Sequence, residues 1–568
     1  MRKSITFSII VTGFTATASQ IIYMRQLLTA FYGNELSISF ILAGWLASGA
    51  IGSAILGRFA DRIGSKIRAL ALCQILLALL LIAGIATANF IKTFLGVNPG
   101  EIIPLFPIIV MSFVILAPVC ILLGFIFSLS CRIYASECSG GALGIGSVYI
   151  LEAIGSIIGG AVTSFILIKL FNPLHIIAIF ALLNILAAFA LVFFQQQDAF
   201  RHCEAPKGPK QSKEIASSPM RKIHAPRNDY ILKMISLLAF VAIIALWAFG
   251  GLKTIERYSL KKQWPGYEVL DSKNSIYGNI LMAKRKEDYS LFNNGLRLYT
   301  IPDKFSSEEA VHLALLEHPD PKTVLLIGGG AGGLAEEILK HRVERIDYVE
   351  LDPSIIEISE KNLPASYYKA LKDPRVSIKN MDGRLLVKKT KERYDCVIIH
   401  TGDPYTAENN RYYTAEFFNE VKSVLKDGGL ISFGLTSSES YISKSLAEFL
   451  RSIYATLKSV FSEVYVIPGE TAHFLAADGA GELTYDYKIL EERTKSRSLD
   501  TLYVRDYYLF SKLSPEKIAY SEKVIKFGPN VVINHDSRPA SYYYGLIFWT
   551  TLFRDSVFSG ILRSVTES

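Results

Sequence analysis

Apolar residues fill the first half of the chain in long unbroken runs; in the second half they fall into short runs between polar turns. The long runs cover about 4–24, 36–57, 69–90, 104–130, 144–168, 174–195 and 231–252. A bilayer span needs ~20 mostly apolar residues at 1.5 Å rise per residue, so each run predicts a membrane helix. The first run starts with Arg2 and Lys3 and continues into Tyr23-Met24-Arg25 without a small-residue cleavage site. It therefore reads as a retained span rather than a signal peptide. Residues 196–230 are polar, basic and rich in proline and serine, and they lack any apolar periodicity. A stretch of that composition cannot bury a core and predicts a disordered or loosely ordered linker. The expected organisation is a membrane domain of about six spans over 1–195, the linker over 196–230, and a seventh apolar segment over 231–252.

The remainder has the texture of a soluble protein. Residues 255–305 hold β-rich runs broken by Ser-Lys-Asn and Asn-Asn-Gly, which predicts a small domain of β-hairpins. The rest, 306–568, opens on a βα alternation. Strands are expected at VLLI (324–327), RIDYVEL, VSIKNMDG, YDCVIIHTGDP and GLISFGL, with helices over 333–341, 353–362 and 414–426. Repeated βα units with short connections predict a doubly wound sheet whose ligands sit at the carboxyl ends of the strands.

Composition sharpens this picture in three places. The 568 residues carry a formal net charge of +8, but basic residues in a membrane protein are usually orientation signals, so a nucleic-acid partner is not expected. Loop 58–68 gathers Arg58, Arg62, Lys66 and Arg68, which places it and the N-terminus in the cytoplasm. Seven crossings would then put the soluble half outside, yet Lys253, Arg257, Lys261 and Lys262 crowd the far end of the seventh run. Either one run does not cross or the soluble half is extracytoplasmic. Six cysteines without CxxC spacing support neither a zinc site nor a disulfide framework. Glu152, set among apolar and small residues of the fifth run, is either a functional intramembrane carboxylate or a packed structural one.

The chemistry centres on VLLIGGGAGGLAEEILKH (324–341). Gly328, Gly330 and Gly333 fit G-x-G-x-x-G between a strand and a helix, with Gly329 between the first two, and Glu350 ends the next strand where it meets ribose hydroxyls. That much suits a dinucleotide or an adenosyl sulfonium. The third strand ends in Met381-Asp382-Gly383, where a carboxylate can accept from an adenine amine. Two acids at successive strand ends favour a free nucleoside anchored at ribose and base.

The motifs VLLIGGGAGGLAEEILKH, VERIDYVELDP, DPRVSIKNMDGR, YDCVIIHTGDP and FFNEVKSVLKDGGLISF resemble those of spermidine synthases over roughly 265–440. The hairpin segment with SIYGNI is similar to that family's small N-terminal β-domain. GFTATASQIIYMRQLLTAFYGNEL, DPYTAENNRYYTAEFF and INHDSRPASYYYGLIFW further resemble membrane-fused, spermidine-synthase-like proteins of bacteria. The loop GRFADRIGSKIR resembles the one between the second and third helices of major facilitator transporters, of which six spans would be half. The resemblance implies an α-helical membrane domain, then a small β-domain, then a Rossmann-like class I methyltransferase fold, in a bacterial inner membrane.

It also implies aminopropyl transfer from decarboxylated S-adenosylmethionine, a co-substrate, to a small amine, with no prosthetic group and no metal. Gly328, Gly329, Gly330, Glu350, Asp382 and Gly383 match the nucleoside motifs, and Asp403 matches the second aspartate of the family's D-S-S-D-P. The departures fall on the amine side. Ala331 replaces the aspartate of G-G-G-D-G-G, His400 replaces the first aspartate of D-S-S-D-P, and Ser306-Ser307-Glu308-Glu309 stand where the family has Tyr-His-Glu. Asp403 and His400 are the expected catalytic residues, His400 as a base titrating near neutrality. Polyamines need several carboxylates and aromatic faces, so an atypical acceptor is expected. Tyr412-Tyr413 and Tyr542-Tyr543-Tyr544 are candidate acceptor-lining or packing groups. Two other readings stay open: a methyltransferase using intact S-adenosylmethionine, and a transporter or sensor whose soluble domain binds without turnover. The bilayer, the amine acceptor and a second copy of the chain are the expected partners.

Overall fold

A run of 20 or more apolar residues satisfies all its backbone groups within itself as a helix, the form a bilayer would require of a single span, and in the computed structural model the long apolar runs are helical. The structure describes residues 2–551 apart from 32–34, 100–102, 138–141, 205–226, 480, 528 and 530. It divides into two units, Met1–Pro265 and Gly266–Ser568.

The first unit contains α1 (Arg2–Phe31), α2 (Glu35–Ala54), α3 (Lys66–Asn89), α4 (Leu105–Glu137), α5 (Ala142–Val162), α6 (Pro173–Glu204), α7 (Arg227–Ala248) and α8 (Gly251–Gln263). Among the described residues, seven helical segments are long and apolar enough to cross a bilayer. Glycines bring them together. A Cβ on Gly13 would lie 2.1 Å from the Glu152 carbonyl oxygen, so α1 and α5 touch backbone to backbone. Amides join the rest of the bundle: Gln74 Nε2 donates to Ser8 Oγ at 3.0 Å and Thr12 Oγ1 at 2.8 Å, and Asn184 Nδ2 donates to Thr15 Oγ1 at 2.8 Å. Arg68 Nε pairs with Asp229 Oδ1 at 2.5 Å, tying the start of α3 to the start of α7. At the other end, Thr93 Oγ1 donates to the Lys262 carbonyl at 3.3 Å and Phe90 packs on Tyr258.

Two expectations for this region change. Residues 196–204 and 227–230 are helical, extending α6 and starting α7; the middle of the predicted linker lies outside the described residues. Residues 255–263 are helical too, not β. Leu252 and Ser259, both buried, are seven residues apart, two turns of one amphipathic face. Cys73, Cys120, Cys131 and Cys396 are free; Cys138 lies outside the described residues.

The second unit opens with β1 (Glu268–Asn274), β2 (Asn279–Arg285), β3 (Asp288–Asn293) and β4 (Leu296–Ile301), an antiparallel sheet in sequential order. Asn294-Gly295 turns β3 into β4 with both residues at positive φ (48° and 81°), the geometry that Asn-Gly accommodates. The larger sheet holds β5 (Thr323–Ile327), β6 (Arg345–Val349), β7 (Val376–Lys379), β8 (Tyr394–Ile399), β9 (Leu425–Thr436), β10 (Glu463–Ile467) and β11 (Thr471–Ala477), in the order β10-β11-β9-β8-β5-β6-β7. Pairing from β7 through β9 is parallel; β10 and β11 close the edge as an antiparallel hairpin. Because β5 lies between β6 and β8, the chain reverses direction across the sheet beside the carboxyl end of β5, where such folds bind ligands. Helices α9 (Lys304–Leu315), α10 (Leu334–Leu339), α11 (Pro353–Asn362), α12 (Gly383–Lys389), α13 (Ala415–Lys422) and α14 (Lys444–Lys458) connect the strands. The helix expected over 414–426 stops at Lys422, because Leu425 already pairs with Tyr394 in the sheet.

Beyond β11 the chain returns over α9 through α15 (Tyr487–Ser496) and α16 (Asp506–Lys512), and α17 (Ala540–Thr551) is the last element among the described residues. Buried Glu308 accepts from the backbone amides of Leu502, Tyr503 and Val504 at 2.8, 2.8 and 3.0 Å. A buried chain of side chains runs beneath: Arg497 donates to His341 Nδ1, His341 Nε2 meets His312 Nδ1 at 2.8 Å, and His312 Nε2 meets Glu337 Oε2 at 3.1 Å. Arginine can only donate, so each imidazole accepts at Nδ1 and passes its proton side onward to Glu337.

Candidate active site

A cavity of about 280 Å³ lies at the carboxyl ends of β5 to β9. Its inner wall is the glycine loop. Gly328, Gly329 and Gly333 hold φ of 78°, 73° and 108°, and a Cβ on Gly330 would stand 2.7 Å from the Tyr348 ring. The loop therefore reaches its ligand with bare backbone, as glycine alone allows. Ala331, in contrast, is 3% exposed among core residues such as Leu334 and Ile346. Its methyl belongs to the packed interior and not to the cavity wall.

Glu350, just past the end of β6, lines the cavity and is 9% exposed. It accepts from the Tyr348 hydroxyl at 2.9 Å. Burial raises its carboxyl to about 7 despite that hydrogen bond. Met381 and Gly383 line the cavity after β7, but Asp382 between them does not. Its Oδ1 accepts from the Leu385 amide at 2.8 Å and caps α12, while its Oδ2 pairs with Arg411. The carboxylate expected to face adenine is thus already engaged by a guanidinium that itself lines the cavity.

His400 follows β8 and its amide donates to the Ile327 carbonyl at 2.8 Å. Its ring rests against Gly329 and lines the cavity. Burial, and then the neighbouring His473, pull the imidazole down to about 4, against the opposing effect of Asp303. It is therefore neutral at pH 7 and a far weaker base than the near-neutral histidine expected. Asp403 is half-buried. Its Oδ1 accepts from the Thr436 amide at 3.0 Å, and its carbonyl accepts from Asn409 Nδ2 at 3.1 Å. Burial raises its carboxyl above the usual range while Thr436 and Tyr405 oppose the shift. Thr401 and Gly402 line the cavity beside it; Asp403 does not.

The structure thus brings Gly328, Gly329, Glu350, Gly383 and His400 to one cavity, and sets Gly330, Asp382 and Asp403 immediately behind its wall. Asn293, Arg297 and Tyr299 of the small sheet complete the lining; the Asn-Asn-Gly turn signal marked their hairpin but not its role. Arg411, inside the quoted DPYTAENNRYY run, was identifiable only as a lone cation among polar residues. The strut behind this wall comes from the far end of the chain. Buried Asn534 Nδ2 donates to Asn410 Oδ1 at 3.0 Å and the Tyr413 carbonyl at 2.8 Å. Asp536 takes Arg384 at 2.6 Å and the Thr414 hydroxyl at 2.8 Å. Tyr412 lines the cavity; Tyr542 is largely buried in α17.

The profile of the spermine/spermidine synthase domain matches residues 303–475. A polyamine aminopropyltransferase of Korarchaeum cryptofilum is 34% identical over 270 residues, 45% of this chain and 82% of the relative. One from Pyrobaculum calidifontis is 29% identical over 258 residues, 43% of this chain and 84% of the relative. The solved spermidine synthase of Thermotoga maritima aligns at 23% identity over 46% of this chain and 88% of that one, with a TM-score of 0.38. With most of a relative's length matched at this identity, the chain belongs to the polyamine aminopropyltransferase family, the spermine and spermidine synthases.

Proposed function

We propose that this chain is a membrane-bound aminopropyltransferase that uses decarboxylated S-adenosylmethionine at the cavity below the glycine loop. The observation that carries the reading is the convergence of Gly328, Gly329 and Glu350 on one cavity with the β7 end. In this reading Glu350 holds the ribose hydroxyls and the Met381–Gly383 segment receives the adenine. An acceptor amine attacks the carbon beside the sulfonium, a C–N bond forms, and the C–S electron pair leaves on sulfur as 5′-methylthioadenosine. The attacking amine must first lose a proton. We assign that role to Asp403, whose carboxyl burial raises above its ordinary range and which would have to reach the amine past Thr401 and Gly402, the residues beside it that line the cavity; neutral His400 orients. Alignment of amine and carbon supplies the rest of the rate.

The test is turnover by the full chain in detergent or lipid. Decarboxylated donor with 1,4-diaminobutane should release 5′-methylthioadenosine, and calorimetry should show tighter binding of decarboxylated than intact donor. Tighter binding of the intact donor, with methylated product, would favour the methyltransferase reading. Binding without turnover would favour the transporter or sensor reading, which the transporter-like loop motivates.

The Arg68–Asp229 pair supports seven full crossings. It sets the start of α7 beside the start of α3, while the Thr93–Lys262 contact sets α8 beside the end of α3. Arg2, Lys3, Arg58, Arg62 and Arg68 then share one face, the cytoplasmic one by charge bias, and the chain enters its soluble unit from the opposite face. Lys261 and Lys262 occupy the last turn of α8, where cations suit the helix dipole. Topology reporters fused within 205–226 and at the C-terminus should fall on opposite sides of the membrane; the same side would refute this arrangement.

A further inference from the structure

Two tyrosines press on the glycine loop and use their hydroxyls differently. Tyr299 of β4 stands against Gly332, where a Cβ would lie 2.9 Å from its ring, and its hydroxyl pairs with Ser359 Oγ of α11 at 2.6 Å. Tyr348 of β6 stands against Gly330, where a Cβ would lie 2.7 Å from its ring. Its hydroxyl donates to Glu350 Oε2 at 2.9 Å, and the Ala331 amide donates toward the same hydroxyl oxygen. Residues two apart on a strand share a face, which lets this phenol reach a carboxylate at the strand's end. Tyr348 is fully buried, yet it lines the cavity together with Tyr299 and Glu350.

One phenol therefore joins the glycine loop to the acid at the next strand end, and the link has two physical consequences. A carboxylate already held by a fixed donor loses little rotamer freedom when a ligand arrives, so its ordering no longer opposes binding. A donor to a carboxylate also favours the ionised form, which can accept from two hydroxyls at once. The other groups that act on Glu350 do so differently. The Leu351 and Asp352 amides donate from the backbone, and the Asp352 carboxylate opposes ionisation. Tyr299, from the small sheet, stands near Glu350 as a phenol that burial keeps neutral.

We propose that Tyr348 is a positioning residue whose phenol locks the Glu350 carboxylate to the glycine loop, so that loop and carboxylate meet the nucleoside as one preformed surface. The inference rests on the reading of Glu350 as the acceptor for ribose hydroxyls and adds what orients it. It also gives the Ala331 position a task that needs no side chain, since its backbone amide takes part in the link.

The test is calorimetry on the full chain in detergent between pH 6 and 9, with 5′-methylthioadenosine and its 2′-deoxy counterpart as probes. The wild-type protein should prefer the ribose form by ~10-fold or more, the weight of a hydrogen bond to a charged group. Tyr348→Phe keeps the ring beside Gly330. It should weaken the ribose form ~10-fold, shrink the preference several-fold, and move the midpoint of the pH dependence up by roughly half a unit or more, as the carboxylate loses its donor. Tyr299→Phe removes a hydroxyl from the other ring on the loop and should leave both the midpoint and the preference in place. Site-specific 3-fluorotyrosine at position 348, a stronger donor of nearly the same shape, should move the midpoint down, and it serves where Tyr348→Phe does not fold. A midpoint and preference unchanged in Tyr348→Phe overturn the positioning role whatever the affinity, as does a Tyr299→Phe shift of equal size or a fluorotyrosine midpoint that stays put. A wild type indifferent to the 2′-hydroxyl, with Glu350→Gln binding as tightly, refutes the ribose reading itself and this inference with it, a distinct result.

Discussion

The His400 ring occupies the space that a side chain on Gly329 would need: a Cβ there would stand 2.6 Å from His400 Cδ2. The glycine loop and the His400 imidazole are therefore fitted to each other, and neither can be altered alone. Gly329→Ala must both adopt φ near 73° and displace the imidazole. The backbone alone costs about 1–2 kcal/mol. Denaturant titration should show at least that loss, and calorimetry a donor affinity reduced ~10-fold or more as the loop shifts.

If Glu350 holds the donor ribose as proposed, it sets a pH dependence on donor binding. Burial raises its carboxyl to about 7, and only the carboxylate accepts from both ribose hydroxyls. Donor affinity should rise between pH 6 and 8 and level off above. Glu350→Gln should remove that dependence along with most of the affinity. Stability runs the other way. A carboxyl raised above its unfolded value favours the fold below the unfolded value, and the advantage is lost as pH rises through about 7.

In the proposed reading one Asp382 carboxylate has two roles, capping α12 through Oδ1 and, once Oδ2 leaves Arg411 and turns into the cavity, meeting the adenine amine. Asp382→Ala should cost about 1 kcal/mol through the lost cap of α12 and also abolish donor binding. Asp382→Asn keeps a capping oxygen and should restore the stability in a thermal melt. Arg411→Ala should tighten donor binding several-fold, because guanidinium and adenine amine compete for Oδ2.

The buried Arg497–His341–His312–Glu337 chain predicts acid sensitivity. Burial first, then His312 and Arg497, lower His341 to about 2. Its contribution is present above the unfolded histidine value of about 6.5 and is lost as pH falls below it, since the unfolded chain takes the proton first. Denaturant midpoints should fall from pH 7 to 5. His341→Ala should flatten that slope while lowering stability at pH 7 by about 1–3 kcal/mol, because Arg497 and His312 lose their partner.

Asn534 makes its two side-chain donations to the 410–413 segment and accepts from the Ser541 amide at 3.1 Å. Asn534→Ala should cost about 1–3 kcal/mol and raise the donor KM, since Arg411 and Tyr412 of the braced segment line the cavity.

What could be read before the fold was known follows from how local each requirement is. The glycine loop and Glu350 were legible because close backbone approach and a strand-end acid are written in adjacent residues. The seven apolar runs were legible for the same reason. Asp382 was not: its diversion to Arg411 joins residues 29 apart. Glu309 looked like a mere departure from a family motif, because Lys512, which holds it, lies 203 residues away. Residues 255–263 were misassigned because Ile255, Tyr258 and Leu260 are too few apolar positions to show a helical period on their own.

Asn534 and Asn410 are separated by 124 residues, and chains are made and generally fold N-terminal part first. During synthesis, the bundle and the glycine loop therefore precede the strut that steadies the outer wall of the cavity. The outer wall of the cavity is therefore braced only by the part of the chain that is made after every residue lining it.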